Sequence, residues 1–299
     1  MQGVIADDQY RAIVERILDT GDRRVDRTGV GTLSVFGVTA RFDLSAGRVP
    51  LITTKRVSWK TAVKEMLWFL TGGTNIRELL EQNVRIWTDW PLARYRRETG
   101  EPIAQDAFEA RILNDEAFAA EWGELGPVYG KQWRRWLGAD GREHDQIATV
   151  IEQLRTSPAS RRILFHGWNV PELPGMALPP CHMVYQYHVT SDGRLNSLLF
   201  QRSCDAMLGL PFNWIGATAL QLMLAQQAGL TPGELVWMGG DVHLYLNHLD
   251  AAREQIARAP RTAPRMTLRR AASIDDYAID DFAVEDYDPH PAIKAAVAV

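Results

Sequence analysis

A thiolate is the most potent nucleophile an ordinary side chain offers near neutral pH, and this chain has two cysteines, Cys181 and Cys204. A buried cysteine is usually an inert small hydrophobe, but Cys181 has a context. Pro179-Pro180 stiffen the backbone before it, and His182 opens an alternating segment after it. A thiol at a sheet edge can face a cavity, and a neighbouring cation lowers its pKa from about 8.5. Arginines gather in three polar clusters, Asp26-Arg27-Thr28, Ser160-Arg161-Arg162 and Gln201-Arg202-Ser203. Each sets a permanently charged fork beside a hydroxyl, which suits a phosphate monoester. Taken singly, a cluster is more simply read as surface arginines paired with carboxylates.

Two further features could recognise a flat, polar-edged ligand. Trp87 and Trp90 stand three apart in Ile86-Trp87-Thr88-Asp89-Trp90 and either fill core or wall a pocket for a heterocycle. Asn213 follows Gly209-Leu210-Pro211-Phe212, read as a rigid turn, and can offer a donor and an acceptor to a pyrimidine edge. An N-cap for the next helix is an equally natural role for it. Other chemistries fail on spacing. Gly29-Val30-Gly31 lacks the third glycine of a dinucleotide loop, and Gly126 to Gln132 lacks the Ser or Thr of a P-loop. His243 and His248 are five apart, so no zinc-binding helix face forms and no metal site is expected.

The elements that must position these groups are partly visible. Tyr10, Ile13, Val14 and Ile17 predict a first helix that stops at Gly21, and Val63, Met66, Leu67 and Leu70 a second that stops at Gly72-Gly73. Gly29 to Phe42 alternates like strands, with Gly37 as a bulge or turn. Ser191-Asp192-Gly193-Arg194 predicts a hairpin between His182–Val189 and Leu195–Gln201. Trp214 to Ala228 reads as a helix buried on most sides. Residues 91–122 are charged and helix-prone, an inserted surface subdomain within one domain spanning 1–299. Seven acidic residues between Asp275 and Asp288 read as a solvated edge.

Composition sets the outer bounds. The chain has 299 residues, 46% hydrophobic and 23% charged, with 33 basic against 37 acidic side chains and a net charge of −4. That excludes a disordered chain and argues against a general nucleic-acid binder. Two cysteines exclude a disulfide scaffold. No leader is visible at the start and no run approaches a membrane span, so a cytoplasmic location is expected.

The ordered blocks resemble the folate-dependent, cysteine-nucleophile thymidylate synthases. They are Asp26-Arg27-Thr28-Gly29, Glu65-Met66-Leu67-Trp68-Phe69-Leu70, Leu125 to Gly130, Ser160-Arg161-Arg162, Leu178-Pro179-Pro180-Cys181-His182, Gln201-Arg202-Ser203-Cys204-Asp205, Gly209 to Asn213, Gly240 to His248 and Val297-Ala298-Val299. The resemblance implies an α+β fold with a large twisted mixed sheet, flanking helices and a sheet-to-sheet homodimer. It implies reductive methylation of dUMP to dTMP, with 5,10-methylenetetrahydrofolate as co-substrate and dihydrofolate released.

By the same resemblance Cys181 is the nucleophile, and Glu65, Tyr129, Arg202, Asn213 and Asp205 share the catalytic work. Arg27, Arg202 and Ser203 hold the phosphate, joined across the dimer by Arg161 and Arg162. Asn213 and Asp205 meet the base, and His243 and Tyr245 the sugar. Ile86, Trp87, Trp90, Asp205, Leu208, Gly209, Phe212 and Ala298 bind the folate. Ser58, where the family often has histidine, and Trp214-Ile215-Gly216-Ala217 depart from the pattern and could reshape the pocket wall. Rival readings are a deoxyuridylate hydroxymethyltransferase, in which water captures the methylene, and a catalytically quiet nucleotide- or RNA-binding relative.

Overall fold

Helix α1 (Ala6–Thr20) forms because Tyr10, Ile13, Val14 and Ile17 bury one stripe, and it ends where Gly21 N–H bonds the Ile17 carbonyl at 2.9 Å. The structure, a computed structural model, describes residues 6–25 and 29–295. Strands β1 (Asp22–Arg24) and β2 (Thr32–Asp43) follow, then helix α2 (Trp59–Thr71). Gly72 caps α2 at φ 78°, the left-handed conformation in which a residue with a Cβ is strained. Helices α3 (Arg77–Glu81), α4 (Asp89–Thr99), α5 (Gln105–Asn114), α6 (Glu116–Trp122) and α7 (Tyr129–Arg134) come next. Residues 91–122 thus fall on three helices, with Tyr95, Phe108 and Phe118 sharing a small aromatic core.

The second half carries most of the sheet. Short strands β3 (Trp136–Leu137) and β4 (Glu143–His144) precede helix α8 (Gln146–Thr156) and strands β5 (Leu164–His166), β6 (His182–Val189) and β7 (Arg194–Asp205). Helix α9 (Gly209–Ala228), strand β8 (Thr231–Tyr245), helix α10 (Leu249–Ala257) and strands β9 (Arg265–Leu268) and β10 (Phe282–Glu285) complete the described chain. The six-stranded sheet runs β1-β2-β8-β7-β6-β5, parallel at β7/β8 and antiparallel elsewhere. A parallel neighbour needs a crossover, and α9 supplies it. The architecture is therefore mixed helix and strand around a large mixed sheet.

Two local features aim the site residues. The 190–193 turn pairs Val189 with Leu195 and carries β6 back along β7, so Cys181, just before β6, meets Arg202, whose N–H bonds the Cys181 carbonyl at 3.0 Å. Pairing passes from Phe36↔Asp241 to Val38↔Gly239, and from Gln201↔Gly239 to Ser203↔Asp241. Gly37, Gly240 and Arg202 therefore lie on one row between rungs. The in–out alternation slips there, leaving Arg202 and Ser203 both half-exposed. Gly37 sits at φ 74°, and a Cβ on Gly240 would come within 2.8 Å of the Arg202 carbonyl oxygen.

Three expectations need correction. Gly209–Asn213 is the first part of α9, not a turn before it, because Pro211 in a first helical turn forfeits no hydrogen bond. Asn213 is accordingly no N-cap. Trp214 is fully buried against Phe42 and Trp237, with ring centroids 4.7 and 6.1 Å away, so it fills core and lines no pocket wall. Truncating it to alanine should cost roughly 3–5 kcal/mol. The acidic strip is only partly solvated: Asp281 is buried beside Arg269, Asp276 caps Ser273, and Asp275 pairs with Arg134 at 2.5 Å.

Candidate active site

The prolines before Cys181 do more than stiffen the chain. The Pro180 and Pro179 carbonyls accept from Nε and Nη2 of Arg202 at 2.9 and 2.7 Å, which holds that guanidinium 3.8 Å from the Cys181 sulfur. Trp168 covers the guanidinium from 5.5 Å. A fixed positive charge at this distance stabilises a thiolate. Cys204 has the opposite surroundings. It is 2% exposed, and burial, reinforced by Asp205, pushes its thiol well above the ordinary range. Of the two thiols, Cys181 has both access and a cation.

Tyr129, at the start of α7, accepts the Cys181 N–H on its hydroxyl at 2.7 Å and stacks on Phe69 at 4.7 Å. Burial first, then the neighbouring Cys181, raises its phenol well above the usual value, so it stays a proton donor. Glu65 projects from α2, and burial lifts its pKa to about 7 against the opposing hydrogen bond from Trp87. That bond runs from Trp87 Nε1 to Glu65 Oε1 at 2.7 Å. A carboxyl poised there can give or take a proton near neutrality.

The base-reading candidate is held by a relay the sequence did not disclose. Asn213 Oδ1 accepts from Gln201 Nε2 at 2.7 Å, and Gln201 Oε1 accepts from Trp237 Nε1 at 2.9 Å. His182 is buried, and burial lowers its pKa to about 4 although a hydrogen bond with Asn213 opposes this, so it is a neutral partner. Asp205 Oδ1 accepts the N–H groups of Met207 and Leu208 at 2.8 and 3.2 Å, shaping the entry into α9. Lys55, which the sequence reading missed, bonds the Met207 carbonyl, and burial brings its pKa down to about 8 while Asp205 opposes the fall. The loop before it is anchored by buried Asp7, which accepts the N–H and hydroxyl groups of Thr53 and Thr54.

At the end of β8, His243 Nδ1 lies 2.9 Å from Asp241 Oδ1, and the Tyr245 ring stands edge-on 5.3 Å away. Asp241 also pairs with Arg24 at 3.0 Å. The His243 bond holds its carboxyl below the usual range although burial works against this. The β7/β8 register sets Ser203 beside Asp241 and Asp205 beside His243. Trp87 and Trp90 lie 5.1 Å apart, Trp90 Nε1 is buried with no hydrogen-bond partner among the described residues, and Leu208 and Phe212 are half-buried near the start of α9. Ile86 is 36% exposed.

Not every candidate converges. Arg161 and Arg162 are exposed in the turn before β5, and among the described residues no bond joins their side chains to Cys181 or Arg202. Arg27 and Ala298 lie outside the described residues. Ser58 Oγ meets Thr61 Oγ1 at 2.8 Å at the start of α2.

The thymidylate synthase family model matches residues 8–299. The chain belongs to the thymidylate synthase family. It is 75% identical over 292 residues to a thymidylate synthase of Cereibacter sphaeroides strain ATCC 17023, covering 97% of this chain and 98% of that one. Similar proteins named thymidylate synthase include one of Rhodopseudomonas palustris strain BisA53, 69% identical over 292 residues at the same coverage. Another, from Zymomonas mobilis strain ATCC 31821, is 65% identical over 296 residues, 99% of this chain and all of that one. Thymidylate synthases are methyltransferases. In this member of the family Arg202 lies 3.8 Å from the Cys181 sulfur, and burial lifts Glu65 to about 7.

Proposed function

We propose that Cys181 is the nucleophile with which this thymidylate synthase family enzyme converts dUMP to dTMP, using 5,10-methylenetetrahydrofolate as co-substrate. Uracil carbon 5 is a poor nucleophile. Adding the thiolate to carbon 6 moves the ring electrons toward carbon 5 and oxygen 4, dividing one hard step into easier ones. The folate supplies a one-carbon unit and then a hydride. Glu65 exchanges protons around oxygen 4, with Tyr129 and Asn213 as neutral hydrogen-bonding groups beside it. Loss of the carbon 5 proton and expulsion of the Cys181 thiolate restore the aromatic ring and the free enzyme.

Binding energy remote from carbon 5 positions it. Arg27, Arg202 and Ser203 are assigned to the phosphate, and His243 and Tyr245 to the sugar. Arg161 and Arg162 of the partner subunit would complete the phosphate site. Supporting a sheet-to-sheet dimer, the open sheet face carries a partly exposed apolar row of Val184, Phe200 and Met238, with Leu198, Val236 and Leu164 beside it. The folate residues suit a flat heterocycle with polar edges: the Trp87–Trp90 pair, Phe212, and the buried indole N–H of Trp90, which has no partner among the described residues. Asp205, Ile86, Leu208, Gly209 and Ala298 complete that assignment. We place the enzyme in the cytoplasm; among the described residues no helix is long and apolar enough to cross a membrane.

The observation that carries the reading is the chain of contacts Arg202–Cys181–Tyr129, with Glu65 and Trp87 packed against it. Product analysis with dUMP and methylenetetrahydrofolate tests it. Thymidylate and dihydrofolate in equal amounts are expected, whereas mainly 5-hydroxymethyl-dUMP with little dihydrofolate would transfer the chain to the hydroxymethylating reading.

A further inference from the structure

Trp87 lies in the short stretch between α3 and α4, outside every strand and outside α2. Its ring packs against Trp68, Phe69, Trp90 and Tyr129, and the residues on either side of it are held by a carboxylate from α5, one of the helices of the 91–122 stretch. Glu109 is 3% exposed, and its Oε1 accepts from Thr88 Oγ1 at 2.8 Å and from Gln105 Nε2 at 2.9 Å. Its Oε2 lies 3.0 Å from Arg85 Nη1, which also reaches Asp106 at 2.9 Å. One carboxylate therefore hydrogen-bonds the residue directly after Trp87 and lies within ion-pair distance of the residue two before it.

Packing alone does not explain a charge there. Phe108 and Ile112 on the same helix are fully buried and apolar, whereas a buried carboxylate costs desolvation unless it is paired. The partners that offset this cost are Arg85 and Thr88. A cavity of about 380 Å³ opens beside the bridge, lined in part by Leu80, Arg85, Asp106, Glu109 and Leu113. On this face of the stretch the polar contacts of Glu109 therefore add to the ring packing of Trp87 in setting its geometry.

We propose that Glu109 is a positioning residue for the folate half of the site. Through Thr88 and Arg85 it keeps Trp87 on Glu65 and keeps water away from the reacting carbon. The proposal rests on the assignment of Trp87 to the folate wall. It gives the inserted helices a task in the reaction itself.

Glu109→Ala and Thr88→Val break the same hydrogen bond from opposite ends. Both should raise the KM for methylenetetrahydrofolate roughly tenfold, the effect of losing one buried hydrogen bond, and leave the KM for dUMP unchanged. Both should also increase the share of 5-hydroxymethyl-dUMP as water reaches the exocyclic methylene. Glu109→Gln, which keeps an acceptor for Thr88, should restore most of the native product ratio. The double variant should be little worse than Glu109→Ala. A lower Tm with unchanged product ratio and unchanged KM values overturns the proposal. Should Glu109→Ala fail to fold, the near-isosteric Thr88→Val decides by the same readouts. Trp87→Gly separates the two levels. If it raises the hydroxymethyl product and the other variants do not, the positioning role fails and the wall stands. If it changes nothing, both fail.

Discussion

The indole N–H of Trp87 donates to Glu65 at 2.7 Å, so a residue assigned to the folate wall also tunes the carboxyl assigned to proton transfer. Burial raises Glu65 to about 7 and this bond works against the rise. Replacing Trp87 with Phe removes the donor and should move the Glu65 ionisation further up. The pH profile of kcat/KM should shift to the alkaline side, and an unshifted profile would show that the bond carries no weight.

The same shift has a stability consequence. Glu65 binds its proton more tightly folded than unfolded, so between about 4.5 and 7 the folded state holds more protons. Unfolding free energy contributed by this group is then fullest below that window and is lost as pH rises through it. Glu65→Gln should therefore be inactive yet more stable than the parent at pH 8, on the order of 3 kcal/mol. Urea unfolding at pH 5 and pH 8 measures it, and an equal difference at both would contradict the assignment.

Asn213 is clamped through Gln201 to Trp237, which fixes which edge its amide presents. Asn213→Asp should reduce dUMP turnover and improve that of dCMP, because a carboxyl group offers a different donor and acceptor pattern. Gln201→Ala should loosen the amide and raise the KM for dUMP several-fold without a gain for dCMP. Competition between the two nucleotides reads both effects. A Gln201→Ala enzyme with native selectivity and KM would make the relay irrelevant.

Much of this was legible in the sequence because local patterns decided it. The stripe from Tyr10 to Ile17, the glycine caps and the Ser191–Arg194 turn are each set by neighbours within a few positions. The diproline before Cys181 marked the thiol, and the structure adds that both proline carbonyls hold Arg202. The Gly209–Phe212 segment reads as a turn from its proline, whereas Pro211 sits where a helix tolerates one, so only the N-cap role of Asn213 falls. The Asn213–Gln201–Trp237 relay and the Glu109–Thr88 contact join residues 12 to 36 positions apart, and no local pattern encodes such pairs.

The cross-subunit phosphate site can be tested by complementation. Arg161→Ala and Cys181→Ala subunits should each be nearly inactive alone. A heterodimer would contain one site with both defects removed, so mixing under subunit exchange should recover about a quarter of native activity, the statistical yield of one intact site in half the dimers. Heterodimers that form without regaining activity would mean Arg161 serves its own subunit or none.

The central claim is that Cys181, held beside Arg202, is the nucleophile. 5-Fluoro-dUMP with methylenetetrahydrofolate should trap it, because fluorine at carbon 5 cannot leave as a proton does, and intact-mass measurement reads the covalent product. The parent and Cys204→Ala should each gain one nucleotide and one folate per chain, and Cys181→Ala should gain neither. An undiminished adduct in Cys181→Ala, or its loss in Cys204→Ala alone, would contradict the account.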